Sequence, residues 1–177
     1  MNKTLLSTAL VAVIAATAFL PTAQAASSGT INFTGRVLAD TCAIAVNGGS
    51  TVTLPNVTTT TFGSTVGTTA GAVPFTIALS GCDTNTTKAN MAFTAGTNVD
   101  TTTGNLKNAT SGGANVQIQL LNSASAVINT STNANAPVIT VAAGAGSTSL
   151  TAQYISTATT TTAGLVTSTV GFTLTYL

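Results

Sequence analysis

The chain has no histidine, no glutamate and no tryptophan, and only 4% of its 177 residues are charged. Each absence removes a class of function. Without histidine, the one side chain whose ordinary pKa lies near neutrality is missing, so general acid–base work would fall to aspartates and lysines. A nucleophilic Ser or Thr needs an adjoining base. Folding would have to bring Lys88 or Lys107 beside a hydroxyl, and no motif in the sequence supports that arrangement. We therefore expect no enzyme, and assign no catalytic residue, cofactor or metal. The formal net charge is +1, so no basic patch is available to hold nucleic acid or an anionic membrane surface. Soluble monomers ordinarily carry far more charge, which resists association. A chain poor in charge and rich in Thr, Ala and Gly suits a protein that packs against copies of itself.

Cysteine is scarce as well, with Cys42 and Cys82 the only two. Their chemistry depends on the compartment, and the start of the chain addresses that. Residues 1–25 have the layout of a cleaved signal peptide: Lys3 supplies the positive charge, Leu5 to Leu20 the apolar core, and Ala23-Gln24-Ala25 the cleavage site. A membrane anchor would need a longer apolar span. Cleavage would leave a mature chain from Ala26, enough for one ordinary domain. In an exported chain an even cysteine count favours a disulfide. Closing a loop of this length stabilises by roughly 4 kcal/mol in the chain-entropy account. The alternative, a two-thiolate metal site, would lack both histidine and a nearby CxxC.

What the sequence does contain is alternation. Ile31, Phe33, Gly35, Val37 and Ala39 share one parity, and Val170, Phe172, Leu174 and Tyr176 share another at the far end. A period of two marks a strand with one buried face. Between them, Val73, Phe75, Ile77 and Leu79 alternate, as do Val116, Ile118 and Leu120, and Leu150, Ala152 and Tyr154. Met91 with Phe93, Val127 with Ile128, and Val138, Ile139 and Val141 mark shorter strands. Asn47-Gly48-Gly49 predicts a turn between strands at 42–46 and 51–54, and Ala143-Gly144-Ala145-Gly146 predicts another. A polar loop is expected around Asp100 to Gly104, and the Thr-rich runs 58–61 and 157–162 read as loops or edge strands. No fixed repeat marks a solenoid. Many short strands at this spacing point to a β-sandwich. An edge strand at the end of the sandwich either stays blunted or recruits another strand.

Three stretches together resemble the shaft pilins of chaperone–usher fimbriae, the major subunits of type 1 and P pili. They are Gly29 to Val37 ahead of Cys42, Val73-Pro74-Phe75-Thr76-Ile77-Ala78-Leu79 leading into Cys82-Asp83-Thr84-Asn85, and Gly164 followed by Phe172, Leu174 and a penultimate Tyr176. The resemblance covers essentially the whole mature chain. It implies an all-β, incomplete immunoglobulin-like sandwich that lacks its last strand and is completed by donor-strand exchange. It implies the divisions 1–25 signal peptide, 26–40 donor extension and 41–177 pilin domain. It further implies partners: copies of itself or related pilins, a periplasmic chaperone and an outer-membrane usher, with export through the periplasm to a cell-surface fimbrium. The donor residues carried over are Ile31, Phe33, Gly35, Val37 and Ala39, with Gly35 at the position where the groove leaves no room for a side chain. Gly164, Val170, Phe172, Leu174, Tyr176 and Leu177 would form the acceptor groove and chaperone contact, with the Leu177 carboxylate as anchor. Ala39 is smaller than the residue often found at its donor position.

The expected function is that of a structural fimbrial subunit supporting cell adhesion. The alternative is a minor adaptor or a glycan-binding single-domain pilin. Two tyrosines, Tyr154 and Tyr176, and no tryptophan make a poor sugar site. A Thr-rich ice-binding or surface-layer protein is a remoter option. Taken without its context, Ile31–Ala39 would read as the first strand of its own sandwich.

Overall fold

A computed structural model describes residues 30–35, 42–47 and 50–177. Residues 30–35 fall in a unit separate from Val37–Leu177 and have no regular secondary structure. The expected signal peptide, and Val37 and Ala39 of the expected donor, lie outside the described residues.

The second unit holds nine strands among its described residues: β1 Ala43–Val46, β2 Thr69–Ser80, β3 Lys88–Thr94, β4 Leu106–Lys107, β5 Val116–Leu121, β6 Val127–Ile128, β7 Val138–Ala142, β8 Ala145–Ser156 and β9 Gly171–Tyr176. The Thr-rich run at 58–61 leads into one turn of 3-10 helix, Thr59–Phe62. Every pairing is antiparallel. One layer runs β1-β2-β8-β5, with β4 and β6 on the outer edge of β5. The other runs β7-β3-β9. The β7–β8 hairpin joins them, pairing Val141 with Gly146 and Ala142 with Ala145. Its two turn residues, Ala143 and Gly144, have φ of 49° and 76°, the left-handed pair that matches the twist of a tight hairpin.

The alternation read from the sequence is the alternation of burial. Phe75, Ile77 and Leu79 of β2, Leu150 and Ala152 of β8, and Leu120 of β5 pack with Ala89, Met91 and Phe93 of β3 and Ile139 and Val141 of β7 in one core. Cys42 and Cys82 are joined by a disulfide that closes the end of the β1–β2 ladder, where Ala43 faces Ser80. Tyr154 lies outside this core, in a smaller cluster with Phe62, Ala114 and Val116. There β2 carries a bulge between Ala70 and Val73. Gly71 sits in it at φ 66°, with the Tyr154 ring 3.0 Å from where a Cβ would stand, so both backbone and space call for glycine.

Two expectations need correction. The turn at Asn47 does not fold 42–46 back onto 51–54. β1 pairs with β2 instead, Asn47 N–H donates to Thr76 O at 2.7 Å, and 51–58 forms no strand. The physical reason is the partner on offer: β2 is 12 residues long and tied to β1 by the disulfide, whereas 51–54 brings only Val52 and Leu54. Gly48 and Gly49 lie outside the described residues. On β5 the simple alternation also breaks, because Gln117 is buried alongside Val116. The loop at Asp100 to Gly104 folds over it. The Gln117 amide donates to Asp100 Oδ2 at 2.6 Å and its oxygen accepts from Thr103 Oγ1 and Asn105 Nδ2.

Asp100 Oδ1 also accepts the N–H groups of Thr102 and Thr103. The Thr102 bond, then Gln117 and Thr103, hold its carboxyl below the usual range. A depressed carboxylate contributes stability that is present above its unfolded pKa and is lost as pH falls through the folded one. Urea midpoints should therefore fall on acidification below about pH 4, and Asp100→Asn should flatten that fall. Replacing both Cys42 and Cys82 by alanine should cost about 2–4 kcal/mol for the loop they close, measured by urea unfolding against the oxidised parent.

Candidate functional site

Among the described residues, an apolar cavity is flanked by two extended segments with unpaired main chain. The first is 50–57, which follows β1. Val52, Leu54 and Val57 are half-buried and Thr51 and Thr53 exposed. Among the described residues none of its backbone groups is hydrogen-bonded. Pro55 further removes one donor.

The second segment is β9 with the strap that leads into it. β9 pairs with β3 through Gly171, Thr173 and Thr175, opposite Thr94, Ala92 and Asn90, and the ladder continues in a reciprocal pair between Leu177 and Lys88. Antiparallel geometry then turns the N–H and C=O groups of Phe172, Leu174 and Tyr176 toward the other edge, where β9 has no strand partner among the described residues. The strap keeps the same parity. Leu165 O accepts from Ala114 N–H, Thr167 O accepts from Ala109 N–H, and Thr167 N–H donates to Asn108 Oδ1. Val166, Ser168 and Val170 are thereby left facing the open side. The free edge runs from Val166 to Tyr176, roughly 35 Å at about 3.3 Å per residue.

Asparagines hold the strap in place of a strand. Asn115 donates to Thr160 O and accepts from Thr162 N–H, Asn108 donates to Leu165 O, and Asn98 Nδ2 reaches Thr169 Oγ1 at 3.0 Å. Gly164 belongs to this fastening. A Cβ there would stand 2.5 Å from Ala114 N and 2.7 Å from Gly113 C, so two backbones cross where only glycine fits.

Between the segments lies a cavity of about 250 Å³. Val46, Val52 and Leu54 form one wall, and Ser168, Val170 and Phe172 the other. Phe75, Ile77, Phe93, Leu120 and Leu150 line its floor. Among the described residues, the buried Ser168 hydroxyl has no hydrogen-bond partner.

Of the residues expected at an acceptor groove, Val170 and Phe172 line this cavity. Leu174 and Tyr176 share their face and pack half-buried against the core beyond it. Leu177 does not line it; its carbonyl oxygen accepts from Thr87 N–H at 2.8 Å and from Lys88 N–H at 3.2 Å. Gly164 lies at the backbone crossing rather than in the cavity wall. Of the expected donor residues, Ile31 and Phe33 are exposed, and a Cβ on Gly35 would meet no atom within 4 Å. The wall at 50–54 was hidden by the turn signal at Asn47, although the parity of Val52 and Leu54 was visible. The asparagine fastenings carry no periodic signal at all.

The family model of fimbrial proteins matches residues 31–177. The chain belongs to the fimbrial protein family. It is similar to the F17 fimbrial protein of Escherichia coli, 41% identical over 164 residues that cover 87% of this chain and 90% of that one. It is also similar to the major fimbrial subunit SMF-1 of Stenotrophomonas maltophilia (strain K279a), 42% identical over 61% of this chain and 64% of that one. Among solved structures, a Burkholderia pseudomallei antigen and type I fimbria protein superposes with a TM-score of 0.55 at 26% identity, covering 77% of this chain and 99% of the other. The P pilus rod subunit PapA shares the fold, with a TM-score of 0.61 at 19% identity over 77% of this chain and 99% of that one. The protein is thus a structural pilin with an immunoglobulin-like sandwich, not an enzyme, and it works in a cell-surface fimbrium assembled with other pilin subunits.

The backbone crossing yields a prediction for this pilin. Gly164→Ala should push the strap off Gly113 and cost about 1–3 kcal/mol, as overpacking does. Urea unfolding should show the loss, and hydrogen exchange should place the loosening at Leu165 and Thr167.

Proposed function

We propose that the cavity between 50–54 and the 166–176 edge is an acceptor groove, filled in the fimbria by residues 31–39 of the next subunit. The observation that carries this reading is the pair of unpaired extended edges facing each other across an apolar floor. One added strand would hydrogen-bond along the open edge and place alternate side chains in the cavity. Ile31, Phe33, Gly35, Val37 and Ala39 have the required parity. Each large apolar side chain fully buried stabilises by about 1.5–3 kcal/mol. The inserted main chain would also offer a partner to the Ser168 hydroxyl, whose burial alone is unfavourable.

The same logic extends to assembly. A subunit with this groove empty exposes an apolar, strand-hungry edge, a liability for aggregation. A periplasmic chaperone that lends a strand would cover it until an outer-membrane usher exchanges it for the next subunit's extension. In this reading residues 1–25 direct export and are removed, 26–40 is the donor extension, and 41–177 is the accepting domain.

Gly35 supplies the test. The proposal places the constraint on Gly35 in the groove that it enters. Gly35→Val should leave folding and the Cys42–Cys82 bond intact, while overpacking by about 1–3 kcal/mol at the insertion site leaves few or no fibres by electron microscopy. Failure of the variant to fold would put 31–39 in its own domain. Normal fibres would reject the donor assignment or its register.

A further inference from the structure

Phe93 is held in an unusual way. It lines the floor of the groove and faces Phe172, a wall residue, across the β3–β9 ladder. Because Ala92 and Thr94 carry the hydrogen bonds to β9, the main chain of Phe93 points the opposite way, toward β7. The β3–β7 ladder ends too early to meet it, at Asn90 and Val138, followed by one bond from Met91 N–H to Pro137 O. The partner that Phe93 finds is a side chain. Asn133 Oδ1 accepts Phe93 N–H at 2.6 Å, and Asn133 Nδ2 donates to Phe93 O at 3.3 Å. One carboxamide supplies both bonds that a strand residue would have made.

The loop that presents this amide is itself built firmly. Asn133 N–H donates to Asn129 O at 2.8 Å, and Asn129 Oδ1 accepts from Ser131 and Thr132. Thr130 is fully buried, with both its N–H and its hydroxyl on Gly104 O. Asn133 adopts φ 63°, a conformation that asparagine tolerates better than most residues. A loop built this firmly just ahead of β7, and about forty residues from Phe93, calls for a role.

We propose that Asn133 is a positioning residue for strand acceptance: its amide stands in for a missing strand residue and fixes Phe93, and through it the Phe93–Phe172 pair, against the incoming strand. The proposal rests on the acceptor reading of the groove. It differs from a general stabilising role because its effect is confined to one part of the groove. A strand inserted beside Phe172 needs the aromatic floor at a fixed height, whereas side chains seated farther along the edge, toward Tyr176, do not.

The test uses the full chain, oxidised, and a synthetic peptide of residues 31–39 as the added strand. Asn133→Gly keeps the positive φ and removes only the amide. Peptide dissociation should become about tenfold faster, the effect of losing a buried main-chain partner. Alanine versions of the peptide at Ile31, Phe33 and Val37 then complete double-mutant cycles. The expected result is strong coupling of Asn133→Gly to one of these positions and near-additivity at the other two. Equal losses for every peptide, or an unchanged dissociation rate, would overturn the proposal. If Asn133→Gly does not fold, Asn133→Asp, which can accept from Phe93 N–H but not donate to its carbonyl, should give the same coupling pattern at smaller size, and absence of that pattern would overturn the proposal equally. A parent chain that binds no peptide would instead reject the acceptor reading, and this proposal with it.

Discussion

A main-chain N–H or C=O taken from water needs a partner, and a sheet that ends without one must be finished by something else. In this pilin that requirement organises nearly everything around the core. The outer edge of β5 is finished by the short strands β4 and β6. The strap before β9 is finished on one side by Asn98, Asn108 and Asn115. The upper end of β3 is finished by Asn133. Among the described residues, the longest stretches left unfinished are 50–57 and the 166–176 edge, which flank one apolar cavity. In the proposed assembly, that general hazard of β proteins becomes a directed site for one incoming strand.

The chemistry of the finishing groups matters. A carboxamide carries a donor and an acceptor at nearly the spacing of a peptide unit, so asparagine can complete a ladder without bringing a strand and without a charge. Three of the pegging asparagines bind main chain on both of their polar atoms or across neighbouring residues, which fixes register as well as distance. The chain uses few charged groups for the purpose. Asp100, which receives Thr102, Thr103 and Gln117, is one such case. This economy of charge is consistent with a subunit whose surfaces meet other subunits, since a buried ion without a full set of partners is costly.

How much of this could be read from the residues follows from the kind of signal each feature leaves. Burial on one face of a strand repeats every second residue, so β2, β3, β5, β7, β8 and β9 were legible, and with them most of the core. The shared parity of Val170, Phe172, Leu174 and Tyr176 also marked the face that β9 turns toward the core, of which Val170 and Phe172 line the cavity. The opposite wall was misread because Asn47-Gly48-Gly49 is a local signal for a turn, while the choice of partner for β1 is decided by β2 and the disulfide, which are distant in sequence. The parity of Val116, Ile118 and Leu120 leaves Gln117 on the opposite face, and only the fold of the 100–105 loop over it shows why it is buried. Gly164 was assigned to the acceptor groove by resemblance, whereas in the fold it sits at a backbone crossing with Gly113, which no periodicity encodes. Asn133 left no trace, because one amide in a polar loop looks like any other.

The disulfide has a mechanical meaning in the assembled form proposed above. There, tension along a fibre would enter each domain from the inserted segment just ahead of Cys42. The first covalent branch it meets is the bond to Cys82, at the end of β2. Load is thereby handed past the four residues of β1 to the long strand that anchors the layer through β8. The β1–β2 ladder is spared from being unzipped one hydrogen bond at a time, and β2 is instead pulled along its own axis, where its bonds to β8 resist together. A cross-link that adds thermal stability to a single subunit thus also sets the route by which force travels through a chain of them.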